Sequence, residues 1–179
     1  MSRCGCNSVF SKPSPIGVDI TINKCDIVEK ASNILNKIAE ARYDGQNAQY
    51  VNTLQPEVDM CQDREIICGF VDDAIARIVK RIEPYVLDYT FEDTNENPEV
   101  RTATLYLQFP TNWKRQFEAV LRKRIEDYVV YEIIAQWLEK VSVADTNYSM
   151  EKAEDLLYEL RHVCDMRQGA VHRGWNTTY

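Results

Sequence analysis

The chain has 179 residues, 45% hydrophobic and 27% charged, with 21 Lys and Arg against 28 Asp and Glu. These proportions exclude a disordered, collagen-like or low-complexity chain, and the length is ample for one core. The formal charge of −7 lacks the electrostatic footprint of a general nucleic-acid binder.

No apolar run reaches the ~20 residues of a membrane span. The most apolar window, Val129 to Leu138, contains Glu132 and Gln136. Residues 1–15 hold no apolar stretch of the secretory kind, and Ser2 stands where myristoylation needs glycine. The cysteines are Cys4, Cys6, Cys25, Cys61, Cys68 and Cys164. In a chain this long without secretory features they are expected to be reduced thiols in a cytoplasm. Cys4 and Cys6 with Cys25 are the one set to weigh as a zinc site. Their spacing matches no strong zinc pattern and no histidine lies near, so loose-arm thiols are the plainer reading.

In chain order, residues 1–16 read as an irregular arm with Pro13 and Pro15. Gly17 to Ile22 alternates as a short strand does. Asn23 offers an N-cap to a first helix, with Val28, Ala31, Leu35 and Ile38 on one face and Gly45 as its stop. Residues 46–59 are a polar connection. A second helix is predicted from Met60 to Glu83, stopped at Pro84, with a broad stripe through Ile67, Val71, Ile75 and Ile78. Gly69 in its middle costs up to ~1 kcal/mol relative to Ala, which suggests a close approach by another element.

After Pro84 the period changes to two. Tyr85, Leu87, Tyr89 and Phe91 share one face of a half-buried strand. Ala103, Leu105, Leu107 and Phe109 share one face of the next. The polar turn between them, residues 93–99, makes an antiparallel hairpin whose apolar face needs helices or a neighbour. Thr111 or Asn112 is expected to cap a third helix reaching Val141. In its second half Val129, Val130, Ile133, Ile134 and Trp137 lie outside the first stripe, so this helix is buried on all sides, by its own bundle or by another subunit. Thr146 and Asn147 open a fourth helix along Ala153, Leu156, Leu157, Leu160 and Cys164, closed by Gly169. The predicted class is mainly α: a four-helix bundle with an antiparallel β-hairpin (about 85–109) between helices two and three. The domain spans 17–169 between an N-terminal arm, 1–16, and a C-terminal tail, 170–179.

Motifs for phosphate cradles, dinucleotides, metalloproteases and nucleophile elbows are missing. No catalytic, cofactor-binding or metal-ligating residue is expected. His162 reads as a surface residue near a helix C-terminus, and His172 lies in the tail. Asp72–Asp73 and Glu126–Asp127 diverge by ~100 degrees around their helices and read as solvated. Lys114, Arg115, Arg122, Lys123 and Arg124 read as an intrahelical salt-bridge face rather than a patch for an acidic partner. The tail carries Arg167, Arg173, Trp175 and Tyr179 with no acidic residue after Asp165, an interface composition.

The run from Ala103 to Glu139, followed by Thr146 to Cys164, resembles a family of small structural proteins of tailed bacteriophages and prophages, including the crAss-like kind. Glu126, Tyr128, Val129 or Val130, Trp137 and Leu138, then Ala153, Leu156 and Leu157, occupy the family's core positions. Asp63 to Pro84 resembles its capped helix before the hairpin. The match covers about two thirds of the chain, and its motifs are hydrophobic rather than chemical.

The resemblance implies a head–tail connector or neck-ring subunit. Such a subunit forms a ring with copies of itself, commonly twelvefold, below the portal and contacts portal and other neck or tail proteins. It implies location in the virion after assembly in the host cytoplasm, no membrane, and DNA passing through without sequence-specific binding. Net acidity agrees with that last point, since a basic lining would hold phosphates. Head-to-tail rings need two different surfaces on one subunit. The expected contact residues are Val130, Ile134 and Trp137 on helix three, Asn95 and Pro98 in the hairpin turn, and Arg167, Arg173, Trp175 and Tyr179. The competing readings are another tail-completion protein, a non-enzymatic adaptor that binds through its tail, and an enzyme, which needs a deep polar pocket with convergent titratable groups.

Overall fold

The computed structural model describes residues 14–42, 54–56, 61–93, 101–141 and 146–167, without the side chains of 61–64 and 93. The described chain is mostly helical, with four helices and one small antiparallel sheet. Strand β1 (Ile16–Asn23) leads directly into helix α1 (Lys24–Arg42). The junction is set by Asn23, whose Oδ1 accepts from the Cys25 N–H at 2.9 Å, the cap expected of asparagine at this position. Helix α1 buries Ile27, Val28, Ala31, Leu35 and Ala39 along one stripe.

Helix α2 (Cys61–Arg81) buries Ile67, Val71, Ala74, Ile75 and Ile78. It ends at Arg81, before Pro84, and a 3-10 turn (Glu83–Tyr85) with Pro84 inside it redirects the chain. Gly69 is exposed, and a Cβ there would meet nothing within 4 Å. The expected close approach is therefore absent: Gly69 lies on the helix's solvent side.

Strands β2 (Val86–Asp93) and β3 (Arg101–Phe109) are antiparallel, as alternation and turn chemistry predict. They do not form an isolated projecting hairpin. β1 pairs with the other side of β3, from Ile16 opposite Phe109 to Asn23 opposite Thr102, so the sheet order is β1-β3-β2. The inner face of β1 and β3 is wholly apolar and buried: Val18, Ile20, Ile22, Ala103, Leu105, Leu107 and Phe109.

Helix α3 (Glu118–Val141) starts later than Thr111 or Asn112. Residues 110–114 instead form a turn followed by a 3-10 turn (Arg115–Phe117). The cause is Trp113, which is 2% exposed. Its ring stacks on Phe109 at 4.1 Å between centroids, and its Nε1 donates to the Val163 carbonyl at 3.1 Å. Burying this ring outweighs about one and a half more turns of helix made from mostly polar residues. α3 is the central element: it packs on α4 (Thr146–Asp165), α2 and α1.

Candidate interaction surface

Sequence alternation places Tyr89 and Phe91 on the inner face of the sheet, and the register agrees, with Tyr89 opposite Leu105 and Phe91 opposite Ala103. Burial does not follow. Tyr89 is 42% exposed and Phe91 38%, because β2 is an edge strand that overhangs the helices. Leu87 departs further. The register shifts between Val86 and Asp88, a bulge that turns Val86 toward the core and leaves Leu87 62% exposed. Three large apolar side chains thus line one open strand edge.

The two sheet edges differ. On β1, Arg122 of α3 donates to the backbone carbonyls of Thr21 at 3.2 Å and Asp19 at 3.4 Å, so a guanidinium occupies two acceptors of that edge. On β2, no described strand lies beyond it, and the Tyr89 N–H donates to the Oδ1 of neighbouring Asp88 at 2.8 Å. Asp88 and Glu92 project from the outer face, both exposed, with no cation paired to either among the described residues. Beneath the edge, Lys24 is 1% exposed. Its ammonium lies 4.7 Å from the Phe91 ring centroid and 2.8 Å from Asp72 Oδ1. This cation–π contact orients Phe91 without covering its outer face.

Beside the start of β2 is an aromatic column: Tyr85 stacks on Phe109 at 5.3 Å, and Phe109 on Trp113. The Tyr85 hydroxyl donates to Asp165 Oδ1 and accepts from the Arg167 guanidinium at 2.9 Å, while Arg161 Nε donates to Asp165 Oδ2 at 3.1 Å. Partial burial raises the Asp165 carboxyl. The hydrogen bonds from Tyr85 and Arg161 and the charges of Arg161 and Arg167 outweigh it and hold the group below the usual carboxylate range. Burial, with the hydrogen bond to Asp165, pushes Tyr85 up.

A second polar cluster centres on Glu132, which is 6% exposed. Its Oε1 meets Arg77 at 2.6 Å and accepts from Gln136 Nε2 at 2.9 Å, and its Oε2 accepts from the Tyr128 hydroxyl at 3.3 Å. Burial, then the Glu132 charge, raises the Tyr128 pKa. Both carboxylate oxygens are engaged, so the cluster holds elements together and offers no spare base. The cavity beside it, about 280 Å³, is lined by Arg77, Glu132, Gln136, Glu139 and Glu154. Among the described residues no group of three His, Cys, Asp or Glu side chains is placed to hold a metal ion, and no helix is long and apolar enough to cross a membrane.

Of the residues expected at an interface, Val130, Ile134 and Trp137 are 6%, 0% and 5% exposed. They are covered by the chain itself and offer no surface to a neighbour. The all-round apolar character of α3 reflects its place among α1, α2 and α4, and Trp137 Nε1 donates to the Leu54 carbonyl at 3.0 Å. Arg167 is occupied by Tyr85 and by the carbonyls of Cys164 and Met166. Asn95, Pro98, Arg173, Trp175 and Tyr179 lie outside the described residues, as do Cys4 and Cys6.

The basic cluster is also less local than expected. Arg115 meets Glu118 within its segment at 3.9 Å, but Arg124 reaches Glu159 of α4 at 2.9 Å, and Arg122 reaches β1. The adjacent carboxylates are likewise engaged: Asp72 pairs with Lys24, and Glu126 with Lys30 at 2.9 Å. The open edge itself was visible in sequence only as an apolar face of β2. No family model matches the chain, and neither a curated protein nor a solved structure matches it.

Proposed function

We propose that this chain is a structural subunit of a virion, a head–tail connector or neck-ring protein of a tailed bacteriophage, that works by contact rather than by catalysis. One observation carries the reading: the open edge of β2, where Leu87, Tyr89 and Phe91 are partly exposed on a strand that pairs with β3 on one side and with no described strand on the other. Exposed apolar edges are blunted in solitary proteins and kept where another chain covers them. Taking ~200 Å² per aromatic ring, the exposed shares of the three side chains sum to roughly 270 Å². At ~25 cal/mol per Å², covering them yields roughly 6–7 kcal/mol. That is comparable to the ~4–15 kcal/mol cost of association, so this edge adds to other contacts rather than acting alone.

The resemblance of residues 103–139 and 146–164 to small phage structural proteins supplies the class of assembly. In this reading the four helices form a bundle that holds the sheet rigid, copies of the chain close into a ring below the portal, and the acidic chain lets DNA pass without adhering. Sedimentation velocity and negative-stain microscopy of the full chain over a range of concentrations test it. Closed rings of uniform size are expected. A monomer at every concentration, alone and with portal protein, refutes the reading.

A further inference from the structure

The two edges of the sheet have been treated differently, and the difference specifies a partner. β1 has two of its carbonyls, those of Asp19 and Thr21, taken by Arg122 and lies against α3. β2 has only a local substitute, the Asp88 carboxylate on the Tyr89 N–H, which a strand can displace because the carboxylate is exposed and returns to water. On the inner side of that edge stand Tyr89 and Phe91, with their rings in a T-shaped contact at 5.8 Å. On the outer side stand Asp88 and Glu92, with Thr90 between them. A strand laid along β2 continues this pattern: its inward side chains meet the aromatics and its outward ones meet two carboxylates.

A second copy of β2 brings the same carboxylates to the edge and no cation to meet them. Antiparallel pairing centred on Thr90 sets Asp88 of each copy against Glu92 of the other, and like charges directly opposite are destabilising. We propose that the outer edge of β2 takes up an extended segment of a different protein, in which apolar side chains alternate with lysine or arginine. This rests on the reading of the β2 edge as an assembly contact. It adds that the edge joins the subunit to an unlike neighbour, while contacts between copies lie elsewhere.

The test uses the full chain and a fluorescently labelled synthetic peptide that alternates valine and lysine, read by anisotropy. Two control peptides accompany it: one alternating valine and glutamate, and one with the valine–lysine composition in two blocks. The alternating lysine peptide is expected to bind, with slowed amide exchange at Tyr89 and Phe91, and both controls to bind far more weakly. The double substitution Asp88→Lys, Glu92→Lys changes only exposed side chains. It is expected to weaken the lysine peptide roughly tenfold or more and to favour the glutamate peptide, from two cross-strand charge pairs reversed in sign.

No binding, equal binding of the blocked peptide, or an unchanged preference in the double variant overturns the proposal. So does a concentration-dependent self-association abolished by Phe91→Lys, which assigns the edge to a second copy. Rings without peptide selectivity refute this inference and leave the structural function standing. Selective peptide binding by a permanent monomer does the reverse.

Discussion

Replacing Trp113 separates what its ring and its indole N–H each contribute. The ring is 2% exposed and stacked on Phe109, so Trp113→Ala opens a cavity in a column that also includes Tyr85. Such truncations cost about 3–5 kcal/mol. Trp113→Phe keeps an aromatic ring against Phe109 but removes the donor to the Val163 carbonyl and part of the buried indole volume. That carbonyl also receives the Met166 N–H at 3.3 Å, so it is not orphaned. The phenylalanine variant therefore loses about 1 kcal/mol with the hydrogen bond and about 1 kcal/mol with the missing ring volume, about 2 kcal/mol in all. With an m-value of ~2 kcal/mol per molar urea, the midpoint falls by ~1 M for phenylalanine and ~2 M for alanine. Circular dichroism at equilibrium in urea reads both. Equal losses for the two variants would show that the stack on Phe109 contributes nothing of its own, and a phenylalanine variant as stable as the parent would show the same of the indole hydrogen bond.

Two further outcomes follow from titrating groups. The Asp165 carboxyl is held below its ordinary range in the folded state, so its contribution is present above the unfolded carboxylate pKa and fades as pH falls through the folded one. Asp165→Asn should thus be less stable than the parent at neutral pH and converge with it in acid; a stability gap independent of pH refutes the Tyr85–Asp165–Arg161 account. The Cys164 thiol is fully buried, and burial pushes its pKa up to about 12. At neutral pH it should resist alkylation in the native protein and react on unfolding, as read by mass spectrometry of the peptide; rapid native labelling would mean that the end of α4 opens locally.

Local features were legible in the sequence where one residue or one period decides the structure. Asn23 caps α1, the alternation from Ala103 to Phe109 gives the buried face of β3, and Pro84 falls where α2 gives way to β2. Alternation says which side chains share a face, but not whether a strand lies at the centre or the edge of its sheet. Tyr89 and Phe91 were therefore placed on the correct face, with their cover left open between helices and a neighbour, and the helices do not fully supply it. The pairing of β1 with β3 joins segments whose apolar patterns are equally compatible with other partners.

The reading of Val130, Ile134 and Trp137 failed for a related reason: a helix apolar on every side requires cover, and a helical period carries no label saying whose atoms supply it. Lys24 was passed over because nothing in its neighbours announces that Asp72 and Phe91 will enclose it. Trp113 was read as the first turn of a helix because capping residues precede it, while its destination on α4 depends on tertiary contact alone.

The central strand also imposes an order on synthesis. Ile16 pairs with Phe109, 93 positions later (109 minus 16). A ribosome must therefore release most of the polypeptide before the earliest strand finds its mate. Until then Val18, Ile20 and Ile22 travel uncovered, so the nascent molecule is most vulnerable to clumping midway through translation. That interval ends only when β3 emerges and pairs with β1.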